Sequence, residues 1–331
     1  MYKLKQLQED FIVKEISEIK FDDSGIYYYF LLKKRGYNTL DAINIISEKL
    51  RIDGKNIGFS GNKDRNAVTE QVISIKNGNE GIERLDIKDI ELKFIGKGSK
   101  DVFLGSNIGN DFEVTIRNLN SKEIKNIENR IKDNGIPMPN YFGPQRFSNN
   151  NPEIGKSLVK KDFKKAVELI LGTNSDFNNR IVEHLEKKPN DHVVALKIIP
   201  SKLLKFYIHS YQSSLFNKAL GQLIKNKAKP DYDIKMPIIG FGSEIEHTSM
   251  KDIIEKLMKR EKIGFRDFII RQIPELSSEG DERKAFIKIT DFKIAKKEED
   301  ELNNGKEKIT AKFSLPKGCY ATVLIDYLFK D

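Results

Sequence analysis

The segment GNKDRNAVTEQ, residues 61–71, places an aspartate, Asp64, between a lysine and an arginine, just before an apolar run. An aspartate that stays ionised beside cations can act as a nucleophile or as a general base, so Asp64 is a candidate for chemistry. The segment alone favours a plainer interpretation, because Gly, Asn, Lys and Asp are common in solvated turns. The rest of the chain must decide between these two interpretations.

The charge of the chain favours a polyanionic partner. Its 331 residues include 58 Lys and Arg against 49 Asp and Glu, which gives a formal net charge of +9. This excess suits the phosphate backbone of a nucleic acid first and an anionic membrane surface second. The length predicts about two domains, and the hydrophobic content of 38% indicates a folded globular protein rather than a disordered one.

Cysteine and histidine usage argues against a metal centre. The single cysteine, Cys319, excludes an internal disulfide and any multi-cysteine site, and the histidines at 184, 192, 209 and 247 contain no i,i+4 pair. The first ten residues are charged where a signal peptide is apolar, and no stretch of about 18 apolar residues occurs. We therefore expect a cytoplasmic protein without a metal and without a membrane segment.

Strands that could position Asp64 are predicted on both sides of its segment. Aromatic and β-branched residues favour strands at 10–16, 26–33 and 71–76. Residues 111–117 alternate between apolar and polar side chains, which is typical of a half-buried, antiparallel strand. The predicted inner face of this strand consists of Phe112, Val114 and Ile116.

Helical patterns predominate in the middle of the chain. A helix is predicted at 39–50, with Thr39 as its N-cap and an apolar face formed by Leu40, Ile43, Ile46 and Leu50. Further helical patterns cover 121–134 and most of 155–228, whereas Pro, Gly and Asn make 137–152 an ordered loop. An apolar stripe in the second of these regions comprises Leu204, Ile208, Tyr211, Leu215, Ala219 and Leu223. The end of the chain, 308–329, is interpreted as two strands separated by the turn 316–318.

The common cofactor motifs are absent from the sequence. There is no G-x-x-x-x-G-K-[ST] loop for nucleotide phosphates, and GKGSKD at 96–101 has Asp101 where a dinucleotide fingerprint needs its third glycine. No G-x-S-x-G elbow is present, and no Gly-rich loop of the kind an S-adenosylmethionine-dependent RNA methylase would carry. The sequence therefore predicts a basic protein without a cofactor.

Three longer segments fall into one pattern. GNKDRNAVTEQ (61–71), NYFGPQRF (140–147) and FSLPKGCYATVL (313–324) resemble the motifs of the TruD family of tRNA pseudouridine synthases. Supporting matches are EDFIVKEI, GNDFEVTIR and YQSSLFN, and all of them occur in the order of the family over nearly the whole chain. Two departures are that Cys319 stands where the family more often has Ser, and that residues 231–290 match only loosely.

The resemblance implies a fold, an activity and a partner. The implied fold is α+β: a mixed, largely antiparallel pseudouridine-synthase sheet forms the catalytic domain, interrupted by a mostly helical α/β insertion domain. We place the catalytic domain at 1–155 and 295–331 and the inserted domain at 156–294. The implied reaction isomerises uridine to pseudouridine, typically at position 13 of a tRNA, with tRNA as partner and no cofactor, metal or protein partner. We expect a monomer.

The resemblance also assigns roles to individual residues. Asp64 matches the catalytic aspartate of the family, and Phe11, Asn140, Phe142 and Tyr320 match its substrate-contacting positions. An aromatic face could stack on the target uracil, and the Asn140 amide could bond to its Watson–Crick edge. The pattern alone would allow the three aromatic residues to be core residues of the sheet.

The chemistry requires Asp64 to be ionised in a pocket that excludes water. Burial disfavours a charged carboxylate, so a cation must compensate. Lys63 and Arg65 are adjacent but point away in an extended segment, which leaves them as solvated charges or phosphate contacts. Lys5 and Arg146 are therefore the candidates for an ion pair with Asp64.

Two other functions remain open at this point. A non-catalytic tRNA-binding or RNA-chaperone protein could keep the same scaffold, but it would have no need of Asp64 within an intact NKDRNAVTEQ segment. An RNA methylase would need S-adenosylmethionine. The isomerase is the interpretation that uses the aspartate, the basic charge and the absence of cofactor motifs together.

Overall fold

A computed structural model of the protein describes residues 1–131, 135–226, 230–245 and 248–329. His247, one of the four histidines, and residues 132–134 of the predicted helix lie outside the described residues. The chain divides into two compact units. The first comprises Met1–Ile136, Lys288–Ala321 and Leu328–Asp331, and the second comprises Pro137–Ile287 and Thr322–Tyr327. The proposed division into a catalytic and an inserted domain stays a prediction.

The strands and helices follow one another in this order along the chain. The first group is β1 (Phe11–Ile16), β2 (Tyr27–Arg35), α1 (Thr39–Leu50), β3 (Ile57–Phe59), β4 (Val68–Lys76), β5 (Ile90–Gly98), β6 (Gly109–Leu119) and α2 (Ser121–Arg130). Next come β7 (Ile136–Pro139), α3 (Asn151–Val159), α4 (Phe163–Leu171), α5 (Asn178–Lys187), α6 (His192–Lys197), α7 (Ser201–Lys225), β8 (Lys235–Ile238) and α8 (Thr248–Glu261). The last are β9 (Asp281–Lys284), β10 (Phe286–Ile289), β11 (Lys293–Glu299), β12 (Glu307–Pro316) and α9 (Ala321–Phe329).

An eight-stranded sheet organises the first unit. Its order is β11-β12-β6-β1-β4-β2-β5, and β3 pairs separately with β4. β1 and β4 run parallel, whereas the other pairs in this sheet are antiparallel. The predicted mixed, largely antiparallel sheet is therefore confirmed. Two small sheets, β10-β7 and β8-β9, complete the strand pairing among the described residues.

Strand β6 shows why the alternating pattern was informative. Phe112, Val114 and Ile116 are 8%, 0% and 0% exposed, as predicted for the inner face. Arg117 departs from the pattern, because this residue is also buried and pairs with the carboxylate of Asp10 at 2.8 Å. The ion pair compensates for the loss of hydration that burial of the guanidinium causes.

Helix α1 begins where predicted but with a different cap and a shifted buried face. The side chain of Asn38 accepts a hydrogen bond from the Asp41 backbone N–H, so Asn38 rather than Thr39 is the N-cap. Ala42, Ile43 and Ile46 are buried, whereas Leu40 is exposed. Thr39 is buried, and its hydroxyl forms hydrogen bonds with the Lys63 backbone and the Gln71 side chain.

The prediction of a second strand at the end of the chain was wrong. The run after the turn at 316–318 forms helix α9. Its buried residues include Val323 and, with helical spacing, Ala321, Leu324, Ile325 and Leu328. A short apolar run fits a buried strand and a buried helix equally well, and here the three-to-four-residue spacing decides for the helix.

The second unit is mostly helical. The predicted stripe on α7 is confirmed, since all six of its residues are buried. Helix α3 approaches α7 closely at Gly155, where a methyl group would meet the Tyr207 carbonyl oxygen at 2.0 Å. Within the described part of the chain, every helix is too short or too polar to cross a membrane.

Candidate active site

Asp64 lies in the connection from β3 to β4. Side chains of helix α1 and strand β4 form hydrogen bonds with this connection. The Thr39 hydroxyl accepts a hydrogen bond from the Lys63 backbone N–H at 2.8 Å and donates one to Gln71 at 2.9 Å. The Gln71 side-chain amide donates to the Gly61 carbonyl oxygen at 3.1 Å. These contacts anchor the connection just before Asp64, and they explain why Thr39 is buried rather than capping the helix.

The carboxylate of Asp64 forms an ion pair with Lys5. The distance from Lys5 Nζ to Asp64 Oδ2 is 2.5 Å. The same Nζ lies 4.1 Å from the centre of the Phe11 ring, in a cation–π contact. The side chain of Asn66 donates to the Lys5 carbonyl oxygen at 3.1 Å, which ties the two segments together. Of the two candidate cations, Lys5 pairs with Asp64 in this structure.

The Asp64 carboxylate is more exposed than we expected, and the neighbouring Phe11 ring is buried. The Asp64 side chain is 42% exposed, so the expected exclusion of water is not achieved in the free protein. Phe11 is 4% exposed, with the Lys5 ammonium over its face and the Phe112 ring against it at 6.1 Å. Phe11 therefore has the environment of a core aromatic that supports Lys5.

Lys34 is a second cation beside Asp64, and our sequence analysis missed it. Its side chain is buried, and Nζ donates to the Tyr37 carbonyl oxygen at 2.6 Å and to the Asp64 carbonyl oxygen at 3.2 Å. Burial lowers the pKa of Lys34 from 10.5 to about 8, while the negative charge of Asp64 acts in the opposite direction. The period of two along β2 could have revealed it, because Lys34 shares its face with the fully buried Phe30 and Leu32.

Lys63 is neither solvated nor available to phosphate in this structure. Its side chain is 9% exposed and pairs with Glu15, which is fully buried, at 3.0 Å. Lys63 Nζ also donates to the Asn110 side chain at 2.6 Å, and the Ser60 hydroxyl donates to the same Glu15 carboxylate. The expectation of a solvated Lys63 was therefore wrong, because a buried carboxylate on β1 lies within reach of it. Glu15 had not been predicted as part of the site.

Arg65 and Tyr320 occupy more open positions. Arg65 is exposed, and its Nε donates to the Gly36 carbonyl oxygen at 3.1 Å. Tyr320 is half-buried and follows the turn that ends β12. In that turn Gly318 has a φ of +80°, which favours glycine, and the Cys319 N–H donates to the Pro316 carbonyl oxygen at 3.2 Å.

The second unit contains the other predicted substrate contacts. Asn140 is buried, and its Nδ2 donates to the Lys284 carbonyl oxygen at 3.0 Å. Its Oδ1 accepts from the Arg283 guanidinium at 2.5 Å, so both ends of the amide have a partner within the protein. Arg283 was not predicted, and its distance in sequence from Asn140 leaves no local pattern that would reveal it.

Phe142 is buried among cations in the same unit. The guanidinium of Arg283 lies 4.3 Å from the centre of its ring, and that of Arg146 lies 5.1 Å from it. The Phe142 backbone N–H donates to Asn217 at 2.9 Å, which fixes the segment against α7. Arg146 is thus engaged with an aromatic ring within its own unit, and its proposed pairing with Asp64 stays a prediction.

Comparison with known proteins assigns the chain to a family. A family model described as tRNA pseudouridine synthase D (TruD) matches residues 2–180, 173–232 and 228–327. The chain belongs to the TruD family of tRNA pseudouridine synthases. As a TruD-family member it is an enzyme, an isomerase.

Relatives that match over nearly their whole length support the assignment to the TruD family. A protein of Thermococcus sibiricus named "Probable tRNA pseudouridine synthase D" is 32% identical over 99% of this chain and 95% of its own length. A protein of the same name from Methanococcoides burtonii is 30% identical over 98% and 92%. A crystal structure of a protein from Methanosarcina mazei, named "Putative tRNA pseudouridine synthase D (TruD)", superposes with a TM-score of 0.78 at 28% identity, covering 99% of this chain and 93% of that one.

Proposed function

We propose that this TruD-family enzyme converts uridine to pseudouridine at position 13 of tRNA, and that Asp64 is the group that acts on the target nucleotide. The observation that carries this proposal is the 2.5 Å ion pair between Lys5 and Asp64, on a connection held by buried side chains. The net charge of +9 suits a tRNA partner. A monomeric state and a cytoplasmic location remain predictions.

The reaction requires one bond to break and another to form between the same two groups. The bond from ribose C1′ to uracil N1 breaks, the detached base turns, and C1′ bonds to C5 instead. A proton leaves C5, and N1 takes one up from solvent. Atoms and electrons balance without an oxidant, a reductant or a second substrate, so the carboxylate and the binding groups are sufficient for the reaction.

Two routes use an ionised Asp64, and both stay open in this proposal. In one, Asp64 attacks C1′ as a nucleophile and is displaced when C5 returns. In the other, Asp64 takes a proton from the ribose as the bond from C1′ to N1 breaks, and returns it to the ribose when C1′ bonds to C5. Lys5 stabilises the anion in either route. Lys34 holds the main chain of Asp64, which limits how far the carboxylate can move from its target.

Bound RNA would supply the water exclusion that the free protein lacks. Asp64 is 42% exposed, which leaves room for a nucleotide to approach it. A uridine taken out of its stack and placed against the carboxylate would cover this surface, and the desolvated ion pair would then gain strength. The extruded uridine is thus the substrate, and it also shields the Asp64 carboxylate from water.

The remaining predicted contacts are proposed to hold the uracil while it turns. Tyr320 is half-buried, so part of its ring can contact a base. Asn140 matches a substrate-contacting position of the family, and its amide is held in place by Arg283 and by the Lys284 carbonyl oxygen. We keep Phe11, Phe142, Arg65 and Arg146 in the proposed substrate-binding set, with Lys5 and Lys63 as cations that shape the site.

The proposal is tested by release of tritium from tRNA labelled at C5 of uridine, with protein and buffer alone. Pseudouridine formation releases the label, and mapping of the product shows whether position 13 is modified. A non-catalytic tRNA-binding protein would bind the RNA and release nothing, and a methylase would need S-adenosylmethionine. Binding that survives in Asp64→Asn, with loss of release, is the expected result.

A further inference from the structure

An apolar tip projects from the connection between β5 and β6. In the segment 100–108, which we call the apolar loop, Phe103 is 60% exposed, Leu104 is 68% exposed and Ile108 is 45% exposed. Leaving large apolar side chains in water is unfavourable, and several together on one loop mark an interaction site more often than single ones do. The activity assigned above makes no use of these residues.

The main chain of the apolar loop is fixed, so the exposure of its tip is a property of the fold. The Val102 N–H donates to the Ser74 hydroxyl at 2.9 Å, and the Val102 side chain is buried. The Gly105 N–H donates to the Ser60 carbonyl oxygen at 2.7 Å. Lys317 Nζ donates to the Gly105 carbonyl oxygen at 3.0 Å, and Gly105 itself has a φ of +87°. The tip is presented rigidly between these anchors.

Two of these anchors, Ser60 and Lys317, belong to segments of the proposed site in the same unit. Ser60 precedes Asp64 by four residues, a stretch that spans at most about 14 Å when extended. Lys317 stands three residues before Tyr320. The tip is therefore tied to the two segments that carry the carboxylate and the half-buried tyrosine. The exposed Lys100 and Lys317 beside it outnumber Asp101, so the surroundings suit an RNA backbone.

We propose that Phe103 and Leu104 form a wedge that enters the base stack of the RNA substrate beside the target uridine. This inference rests on the proposed function, since it presupposes a uridine that leaves its stack to reach Asp64. Proteins that distort nucleic acids insert Phe, Leu and Ile side chains between bases, and an aromatic ring can replace a lost stacking partner. The wedge thereby offsets the cost of extruding the base.

The double variant Phe103→Ala/Leu104→Ala tests the wedge. We expect kcat/KM for tritium release from folded tRNA to fall about 10- to 100-fold, the range that loss of one or two stacking contacts produces. Phe103→Trp keeps an aromatic face and should retain most of the activity. Leu302→Ala is the matched control, because Leu302 is 43% exposed in a turn of the same unit and should leave the rate unchanged.

A second readout separates a wedge from a general effect on binding. 2-Aminopurine placed next to the modified uridine becomes brighter when its stack opens. The inactive Asp64→Asn protein should still produce this increase, and the same protein carrying the two alanines should not. A double variant with unchanged tritium release, or one that alters only self-association, would overturn the wedge. Full activity in Asp64→Asn would instead overturn the proposed function.

Discussion

Lys34 leads to a prediction in which stability and activity change in opposite directions with pH. Its pKa is lowered to about 8 from an ordinary 10.5, so the folded protein binds the proton less tightly than the unfolded chain. At pH 7 the buried charge therefore costs about 3 kcal/mol, at about 1.4 kcal/mol for each pKa unit. This cost disappears as the pH rises from 8 to 10.5, and the contribution of Lys34 to stability improves over that range.

The rate of tritium release should fall over the same range. About 90% of Lys34 is protonated at pH 7 and about 10% at pH 9, so a site that needs the cation loses roughly tenfold in rate. Lys34→Arg keeps its charge and should show no alkaline fall with a midpoint near pH 8. Lys34→Met leaves the Tyr37 and Asp64 carbonyl oxygens without this donor, at about 1–3 kcal/mol each, and should be slow at every pH.

The assay is tritium release from pH 6 to pH 10 under single-turnover conditions, with urea unfolding of the same proteins. Lys33→Met is the matched control, because this neighbouring lysine on β2 is 47% exposed and should leave both profiles unchanged. Comparison with Lys34→Arg corrects for any titration of the RNA itself. If Lys34→Arg and the wild type lose activity at the same alkaline pH, the reasoning about Lys34 is refuted.

Two further predictions concern the stability of each unit. Arg117→Met leaves the buried carboxylate of Asp10 without its cation, and we expect urea unfolding to show a loss of about 3–5 kcal/mol; a loss below 1 kcal/mol would contradict this. In the second unit, burial raises the pKa of Glu261, but Lys156 and Lys218, at 2.6 and 2.7 Å, outweigh it and bring it to about 2. The stability that Glu261 contributes, up to about 3 kcal/mol, is therefore present above pH 4.5 and lost as the pH falls towards 2. In Glu261→Gln the free energy of unfolding should depend less on pH over this acid range. An unchanged dependence would contradict the role given to Lys156 and Lys218.

Local patterns were sufficient for the elements with one buried face. The alternation of Phe112, Val114 and Ile116 predicted β6, and the six-residue stripe predicted the buried face of α7. Both patterns are clear because one face of the element packs against the core and the opposite face contacts solvent. The run after Gly318 is short and mostly apolar, so its sequence fits a buried strand as well as a buried helix, and it was assigned to the wrong element. Asn38 and Thr39 both suit an N-cap, and only the hydrogen bond from Thr39 to Gln71 decides between them.

The buried charges could not be derived in the same way. Lys63 pairs with Glu15 on another strand, and Arg283 bonds to Asn140 from a distant part of the chain. Such partners are distant in sequence and come together only in the folded chain, so the local spacing of residues does not predict them. The sequence nevertheless predicted Lys5 as one of two candidate cations for Asp64, and the structure contains that ion pair.

The most direct measurement is the single-turnover rate of tritium loss by Asp64→Asn, with enough enzyme to saturate the labelled tRNA. We expect Asp64→Asn to release no tritium above background while the RNA remains bound, because the amide can neither attack C1′ nor accept a ribose proton. A rate within tenfold of the wild type would show that another group carries the reaction.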